Sequence, residues 1–225
     1  MKRILVIAAH PDDEVLGCGG AIYKHASNDD DVRVLILSDG VGARFSGPSK
    51  AAEAQCRQKI AEMEKAHAIL KVVATTYATV APDNQFDTVP MLKIVKEIRA
   101  VIERIEPAIV YTHHCGDLNI DHRIVGEATL VATRPLLEQS YAVGEVYAYE
   151  VPEATALAFR HDFRPNTYVS IDVKKKVEAL QEYDSERRSV PHPRSVDSVW
   201  AVAQVRGSEA GFLFAEAFQL IRRLM

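Results

Sequence analysis

Near its start the chain reads Ile4-Leu5-Val6-Ile7-Ala8-Ala9 and then His10-Pro11-Asp12-Asp13-Glu14. An unbroken apolar run of this length is typical of a strand that is buried on both faces of a parallel sheet. Residues 32–37 repeat this pattern, and the intervening residues 15–26 carry apolar spacing that suits a helix. A strand, a helix and a second strand in this order form the repeating unit of parallel α/β sheets.

The same alternation continues along the chain. Further strands are predicted at residues 72–77, 108–112 and 146–149, and further helices at residues 50–70, 89–105 and 121–138. We therefore predict an α/β fold with an open, doubly wound, Rossmann-like sheet that is mostly parallel and carries helices on both faces. One added strand and two helices are assigned to the last third, and residues 1–225 are interpreted as a single domain.

Composition and charge exclude several classes of protein. The 225 residues include 27 Lys and Arg and 31 Asp and Glu, and the net charge of −4 indicates no basic surface for nucleic acid. No apolar run approaches the roughly 18 residues of a membrane span. Cys18, Cys56 and Cys115 lack CxxC spacing and are interpreted as free thiols of a cytoplasmic protein. We expect a small-molecule partner, and assembly into a homo-oligomer is left open.

The segment from His10 to Glu14 follows the first strand, at the sheet edge where open α/β sheets bind their ligands. An imidazole beside carboxylates supplies the nitrogen and oxygen ligands of catalytic zinc sites. Asp12 or Asp13 could instead cap the helix that starts near Glu14, because acidic residues are favourable at a helix N-terminus. Capping accounts for one aspartate but not for a second carboxylate beside a histidine, so we favour a metal site.

A second polar segment, from Thr112 to His122, follows the fourth predicted strand. The first and fourth strands of a doubly wound sheet are neighbours, so the two segments are expected to face each other. His122 begins the next helix, where its ring can turn toward His10 and Asp13 to give three metal ligands and an open position for water. Taken alone, His114 at the strand end is interpreted as a histidine that hydrogen-bonds the backbone.

The AHPDDE motif that begins at Ala9, the glycine pair that follows it and the downstream Asp121-His122 resemble the PIG-L/LmbE family of zinc-dependent deacetylases. These enzymes act on N-acetylglucosaminyl and related amides. Pro82-Asp83 and Ala215-Glu216-Ala217-Phe218 extend the resemblance over most of the chain.

This resemblance implies a role for each residue of the two segments. It implies that His10, Asp13 and His122 bind zinc, with Fe²⁺ as another metal that the site could take. Asp12 would be the general base that activates water. Asp121 would orient a ligand, because metal-bound histidines usually donate their other N–H to a carboxylate or carbonyl group.

One position departs from the family pattern. Many members read H-x-D-H, and the first of these positions is Asn119 in this chain. An amide can donate a hydrogen bond to an oxyanion, but it cannot act as a general acid at neutral pH. The acid is then Asp12, His114 or His192, of which we favour His192 because two flanking prolines hold it in a turn. An ordinary surface-loop histidine is the alternative for His192.

Three more residues are candidates for substrate contacts. Asp83 follows the third predicted strand, and we expect it to bind sugar hydroxyls, with a loop Asx-turn as the alternative. Arg57 and Lys59 on the second predicted helix are weaker candidates, because such charges usually face solvent.

Together these features predict a zinc-dependent hydrolase that removes the N-acetyl group of an amino-sugar conjugate of the N-acetylglucosamine type. A zinc amidohydrolase for another acylated amine, such as a thiol conjugate or an antibiotic intermediate, is the first alternative. The second is a non-catalytic sugar-nucleotide-binding module, against which the missing GxGxxG motif argues.

Overall fold

A computed structural model describes residues 1–45, 47, 49–135, 141–158 and 163–225, which form a sheet of seven strands with helices packed against it. The strands are β1 (Arg3–Ala8), β2 (Asp31–Ile36), β3 (Ala74–Tyr77), β4 (Ile109–His113), β5 (Glu145–Tyr149), β6 (Thr167–Ser170) and β7 (Ala215–Arg223). The helices are α1 (Asp13–Ser27), α2 (Lys50–Leu70), α3 (Met91–Ile105), α4 (Ile120–Ala132), α5 (Val173–Gln181) and α6 (Val196–Ala210).

The strand order is β3-β2-β1-β4-β5-β7-β6. The first five strands of this order are parallel, and β7 runs antiparallel to both β5 and β6. From β1 the chain winds outward to β2 and β3 on one side, and from β4 to β5 on the other. The predicted doubly wound and mostly parallel sheet is confirmed. The direction of winding reverses between β1 and β4, so the carboxyl ends of these two strands border the crevice where such folds bind ligands.

The apolar run of β1 is buried on both faces of the sheet, as its sequence predicts. Ile4 and Val6 pack into a core that includes residues of α1, α2, α5 and α6. Leu5 and Ile7 pack on the opposite face, against residues of α3 and α4. In the part of the chain that the structure describes, no helix is both long enough and apolar enough to cross a membrane.

The last third of the chain differs from the prediction. It contains α5 and α6 as expected, but it adds two strands to the sheet instead of one. The residues of β6 are all half-buried, and β7 carries a buried Glu216 that is paired with Lys176, so neither strand has a clear apolar pattern. The predicted helix over residues 121–138 ends at Ala132, and residues 136–138 of that prediction lie outside the described residues.

Candidate functional site

The carboxyl ends of β1 and β4 bring the two polar segments together. The loop after β1 carries His10 and leads into α1, while the loop after β4 leads into α4, whose first turn carries Asp121 and His122. His10 Nε2 lies 3.0 Å from Asp121 Oδ2, although these residues are far apart in sequence. The topology therefore places both segments in one site, as the strand order predicts.

His10, Asp13 and His122 form a buried group of metal-binding atoms. Each residue offers one ligand atom, and these atoms all lie within 4.8 Å of one another. Asp13 Oδ2 lies 3.1 Å from His10 Nδ1 and 3.2 Å from His122 Nε2. In the described part of the chain, neither ring nitrogen of the fully buried His122 makes a hydrogen bond of acceptable geometry. A cation at this position would satisfy the Nε2 atom, so the residues present fit a divalent metal ion.

A second group, formed by His10, Asp83 and Asp121, lies on the other side of the same imidazole. Its carboxylates are already occupied, because Asp121 accepts the N–H groups of Asn84 and Phe86, and Asp83 accepts that of Ala43. Asp13 Oδ2 also accepts an N–H, that of His10, so the first group is distinguished by His122, whose buried ring nitrogens lack hydrogen-bond partners among the described residues.

Carboxylates lie behind both histidine ligands of this site. Asp121 faces His10 Nε2, and Asp117 Oδ1 lies 3.3 Å from His122 Nδ1. Asp117 is itself held by Thr155 Oγ1, which donates to Asp117 Oδ2 at 2.8 Å. Such carboxylates orient metal-bound imidazoles and increase their basicity.

The carboxylates of the site raise the pKa values of both histidine ligands. Burial opposes protonation of His10, but hydrogen bonds to Asp121, Asp13 and Asp83 hold its pKa well above the ordinary value. Burial likewise opposes the charge of His122, yet Asp13 and Asp117 raise its pKa to about 9. These carboxylates favour positive charge in the site, whether it is carried by protonated histidines or by a bound cation.

Asp12 lies beside the metal-binding group with an unusual backbone. Its φ of 109° and ψ of −28° place it in the left-handed region, which costs a non-glycine residue about 1–3 kcal/mol. Asp12 occupies the N-cap position of α1, but its side chain makes no capping hydrogen bond. The capping alternative for this aspartate is therefore wrong, and its carboxylate faces the site cavity instead.

Two cations surround the Asp12 carboxylate. Burial raises the pKa of Asp12 to about 6, although Lys59 and Arg194 act in the opposite direction. Arg194 Nη1 donates to Asp12 Oδ2 at 3.3 Å. Lys59, which is only 3% exposed, donates to the carbonyl oxygen of Gly40 and to Glu186. A carboxylate whose pKa is close to neutral suits a general base.

These side chains border a cavity of about 210 Å³. Its described lining consists of His10, Asp12, Asp13, Gly40, Ala43, Arg44, Lys59, Asp83, Asn84, Asn119 and Arg194. The lining is predominantly polar and carries both signs of charge, which suits a small polar group such as an amide or a sugar hydroxyl.

Comparison with known proteins decides the family. Residues 5–133, more than half of the chain, match the PIG-L family, which is described as GlcNAc-PI de-N-acetylase. The chain belongs to the PIG-L family. It is also 27% identical over 240 aligned positions to a diacetylchitobiose deacetylase of Thermococcus kodakarensis, with 98% of this chain and 84% of that protein covered. The predicted class of enzyme, a hydrolytic N-deacetylase, agrees with both findings.

Solved structures confirm the PIG-L fold. The hydratase GalB of Pseudomonas putida matches with a TM-score of 0.77 and 23% identity, covering 100% of this chain and 98% of GalB. The N,N'-diacetylchitobiose deacetylase of Pyrococcus horikoshii matches with a TM-score of 0.77 and 19% identity, covering 98% of this chain and 84% of that protein. Because one of these proteins is a hydratase and the other a deacetylase, the fold alone does not determine the reaction.

The residue that departs from the PIG-L pattern, Asn119, is the N-cap of α4. Its Oδ1 accepts the N–H groups of Asp121 and His122 at 2.8 and 3.4 Å. Its Nδ2 donates to Asn84 Oδ1 at 3.4 Å. Asn119 lines the cavity as predicted, but its carbonyl oxygen is already used to cap a helix.

Five of the predicted site residues lie outside the described lining of this cavity. Two of them, Asp121 and His122, belong to the buried groups of metal-binding atoms described above. His114 accepts the N–H of Gly116 and packs against Phe163. His192 Nδ1 accepts the N–H of Arg194, and the exposed Arg57 lines a separate cavity of about 760 Å³.

Sequence reasoning gave no role to two residues that the structure brings to the site, Arg194 and Asp117. Arg194 lies in the same proline-flanked turn as His192, the residue of this turn to which the sequence pattern gives a catalytic role. Lys59, a weaker candidate for a substrate contact, does not face solvent, because it is buried and pairs with Glu186. Asp117 lies in the segment after β4, and its position between a strand and a helix was the signal that could have identified it.

Proposed function

We propose that this chain is a metal-dependent hydrolase that removes the acetyl group from the nitrogen of an amino-sugar conjugate of the N-acetylglucosamine type, with zinc as the metal. The observation that carries the proposal is the clustering of the ligand atoms of His10, Asp13 and His122, in which the buried ring nitrogens of His122 lack hydrogen-bond partners among the described residues. Asp12 adjoins this group and faces the same cavity. When bound by these three residues, a divalent cation would polarise the amide carbonyl and lower the pKa of water.

The side chains of the cavity account for the proton transfers. Asp12 accepts a proton from water as the water oxygen bonds to the carbonyl carbon, and the carbonyl π electron pair moves onto its oxygen. Asp12 then returns the proton to the nitrogen as the carbon–nitrogen bond breaks and the oxyanion re-forms the carbonyl bond. This step releases a free amine and acetic acid, which then loses its proton to become acetate. Asp12 serves as both base and acid in this proposal, because His114 and His192 lie outside the described cavity lining.

Asp83 and Asn84 supply the polar contacts for the rest of the substrate in this proposal. Both line the cavity, and Asn84 Nδ2 donates to Asp83 Oδ1 at 3.0 Å, which orients the pair. Their remaining oxygen and N–H groups suit the hydroxyls of a sugar ring. Neither Cys18 nor Cys56 forms a disulfide, which supports a cytoplasmic location for the enzyme.

The proposal is tested by measuring bound metal and acetate release on the purified protein. We expect stoichiometric zinc or iron and release of acetate from N,N'-diacetylchitobiose or from a conjugate of N-acetylglucosamine. Removal of the metal with a chelator should abolish the release, and added zinc should restore it. Acetate release that continues after complete removal of the metal would contradict the metal dependence. Cleavage of other acylated amines without cleavage of N-acetyl amino sugars would support the alternative amidohydrolase.

A further inference from the structure

The cavity contains a charged side chain that the family comparison does not assign. Arg194 lies in the turn just before α6, and its guanidinium reaches the cavity, with 22% of the side chain exposed. Its backbone is fixed, because its N–H donates to His192 Nδ1 and the next residue, Ser195, caps α6. The guanidinium therefore extends from a turn whose backbone is held by hydrogen bonds at the N-terminus of α6.

Two carboxylates orient this guanidinium. Nη1 donates to Asp12 Oδ2 at 3.3 Å, and Nε lies 2.8 Å from Glu153 Oε2. Within the described part of the chain, the buried Arg194 Nε makes no hydrogen bond of acceptable geometry, so its contact with Glu153 is an ion pair. Because a guanidinium carries five N–H donors and stays charged, Arg194 retains donors for a third partner in the cavity.

The other cations of the cavity and the amide of Asn119 bond to groups other than the proposed base. Lys59 is engaged by Gly40 and Glu186, and Arg44 is also paired with Glu186. Asn119 uses its carbonyl oxygen to cap α4 and directs its amide toward Asn84. Arg194 is the cation whose hydrogen bond goes directly to the proposed base.

The proposed reaction changes the charge next to Arg194. Before the reaction the negative charge lies on Asp12. When water attacks, Asp12 gains a proton and becomes neutral, while the carbonyl oxygen gains the electron pair of the π bond. The negative charge thus moves from Asp12 to the oxyanion, and a guanidinium next to both can stabilise it without reorganisation of the site.

Resting on the function proposed above, we propose that Arg194 is a catalytic residue whose guanidinium donates to the carbonyl oxygen as the tetrahedral oxyanion forms. Arg194 thus adds an oxyanion donor beside Asn119, whose side chain is partly engaged in capping α4 and in its bond to Asn84. Glu153 acts as a positioning residue that keeps the guanidinium directed at the cavity.

The test compares Arg194→Ala and Arg194→Lys with the wild type, using N,N'-diacetylchitobiose as substrate. Arg206→Ala is the matched control, because Arg206 also forms a half-buried pair, with Glu150, but lies outside the described cavity lining. We expect Arg194→Ala to lower kcat by about 10²–10³-fold with little change in KM and with its metal retained, as for a lost oxyanion donor. Guanidinium ion at low concentration should restore part of the kcat of Arg194→Ala and have no such effect on Arg206→Ala.

A binding measurement separates this role from a structural one. Methylphosphonate is a tetrahedral anion, and its inhibition constant should rise for both Arg194 variants in step with the fall in kcat. A rise in KM with unchanged kcat, a loss of metal, or an absence of rescue by guanidinium would each overturn the role of Arg194. If the metal-loaded wild type releases no acetate from any N-acetyl amino sugar, the proposed function fails instead.

Discussion

The carboxylate of Glu14 accepts the backbone N–H of Asp12 at 3.1 Å. This bond holds the left-handed backbone of Asp12, which a non-glycine residue does not adopt without support. The other oxygen of Glu14 accepts hydrogen bonds from Tyr183 at 2.6 Å and from His67 at 3.1 Å, and all four residues are buried. The third acidic residue of the motif therefore acts on the position of the proposed base.

Removal of one member of this network should affect both stability and turnover. Tyr183→Phe should lower the free energy of unfolding by about 1.5–3 kcal/mol, because it removes a hydrogen bond to a buried carboxylate. It should also lower kcat while leaving bound metal unchanged, since Asp12 is held less firmly. Tyr168→Phe, which removes a hydroxyl near Glu209 at the surface, serves as the control. A destabilised variant with wild-type kcat would show that the network has no part in positioning Asp12.

Metal content should distinguish the two groups of ligand atoms around His10. His122→Ala should lose most of the bound metal, because the remaining two ligands hold it poorly. Asp83→Asn should retain the metal, and His25→Ala, a histidine paired with Asp30 away from the site, should behave as the wild type. The opposite result, with metal retained in His122→Ala and lost in Asp83→Asn, would place the ion in the second group.

The acidic limb of the pH profile should report Asp12. A base must be deprotonated, so kcat/KM should rise with pH through the pKa of Asp12, which is about 6 without metal and lower with a cation bound nearby. Lys59 lowers this pKa through its charge. Lys59→Gln should therefore shift the limb to higher pH, measured as kcat/KM from pH 4.5 to 9. A shift in the other direction would contradict the assignment of the limb to Asp12.

The charged form of Asp12 should lower the free energy of unfolding of the metal-free protein. Its pKa is raised on folding from 3.8 to about 6, so the folded state binds more protons between these values and stability falls as pH rises through this window. A shift of this size corresponds to roughly 3 kcal/mol. Asp12→Asn should therefore be more stable than the wild type at pH 7.5, and the difference should disappear near pH 4. Chemical denaturation at both pH values measures it, and equal stability at pH 7.5 would contradict it.

The sequence predicts those residues of the site that directly follow the ends of strands. The buried runs of β1 and β4 define parallel neighbours, and residues directly after them, such as His10 and His122, meet without further information. The members of the proposed ligand group are far apart in the chain, but each directly follows one of two neighbouring strands, and this position is readable from the sequence.

The remaining residues depend on tertiary pairing. Lys59 lies on α2 and is buried only because Glu186, from a distant turn, neutralises it. Arg194 reaches the cavity from the turn before α6 because Glu153 and Asp12 pair with its guanidinium. Neither pairing has a local sequence pattern. The sequence therefore indicates His192 rather than Arg194, and it predicts a solvent-facing Lys59.

The central claim is that Asp12 performs proton transfer beside a metal held by other residues. The most direct measurement determines bound metal and acetate release together for Asp12→Asn and the wild type. The account predicts that Asp12→Asn keeps its metal and loses at least the roughly 10²–10⁴-fold that general base catalysis supplies. A variant that releases acetate at nearly the wild-type rate, or one that no longer binds metal, would contradict it.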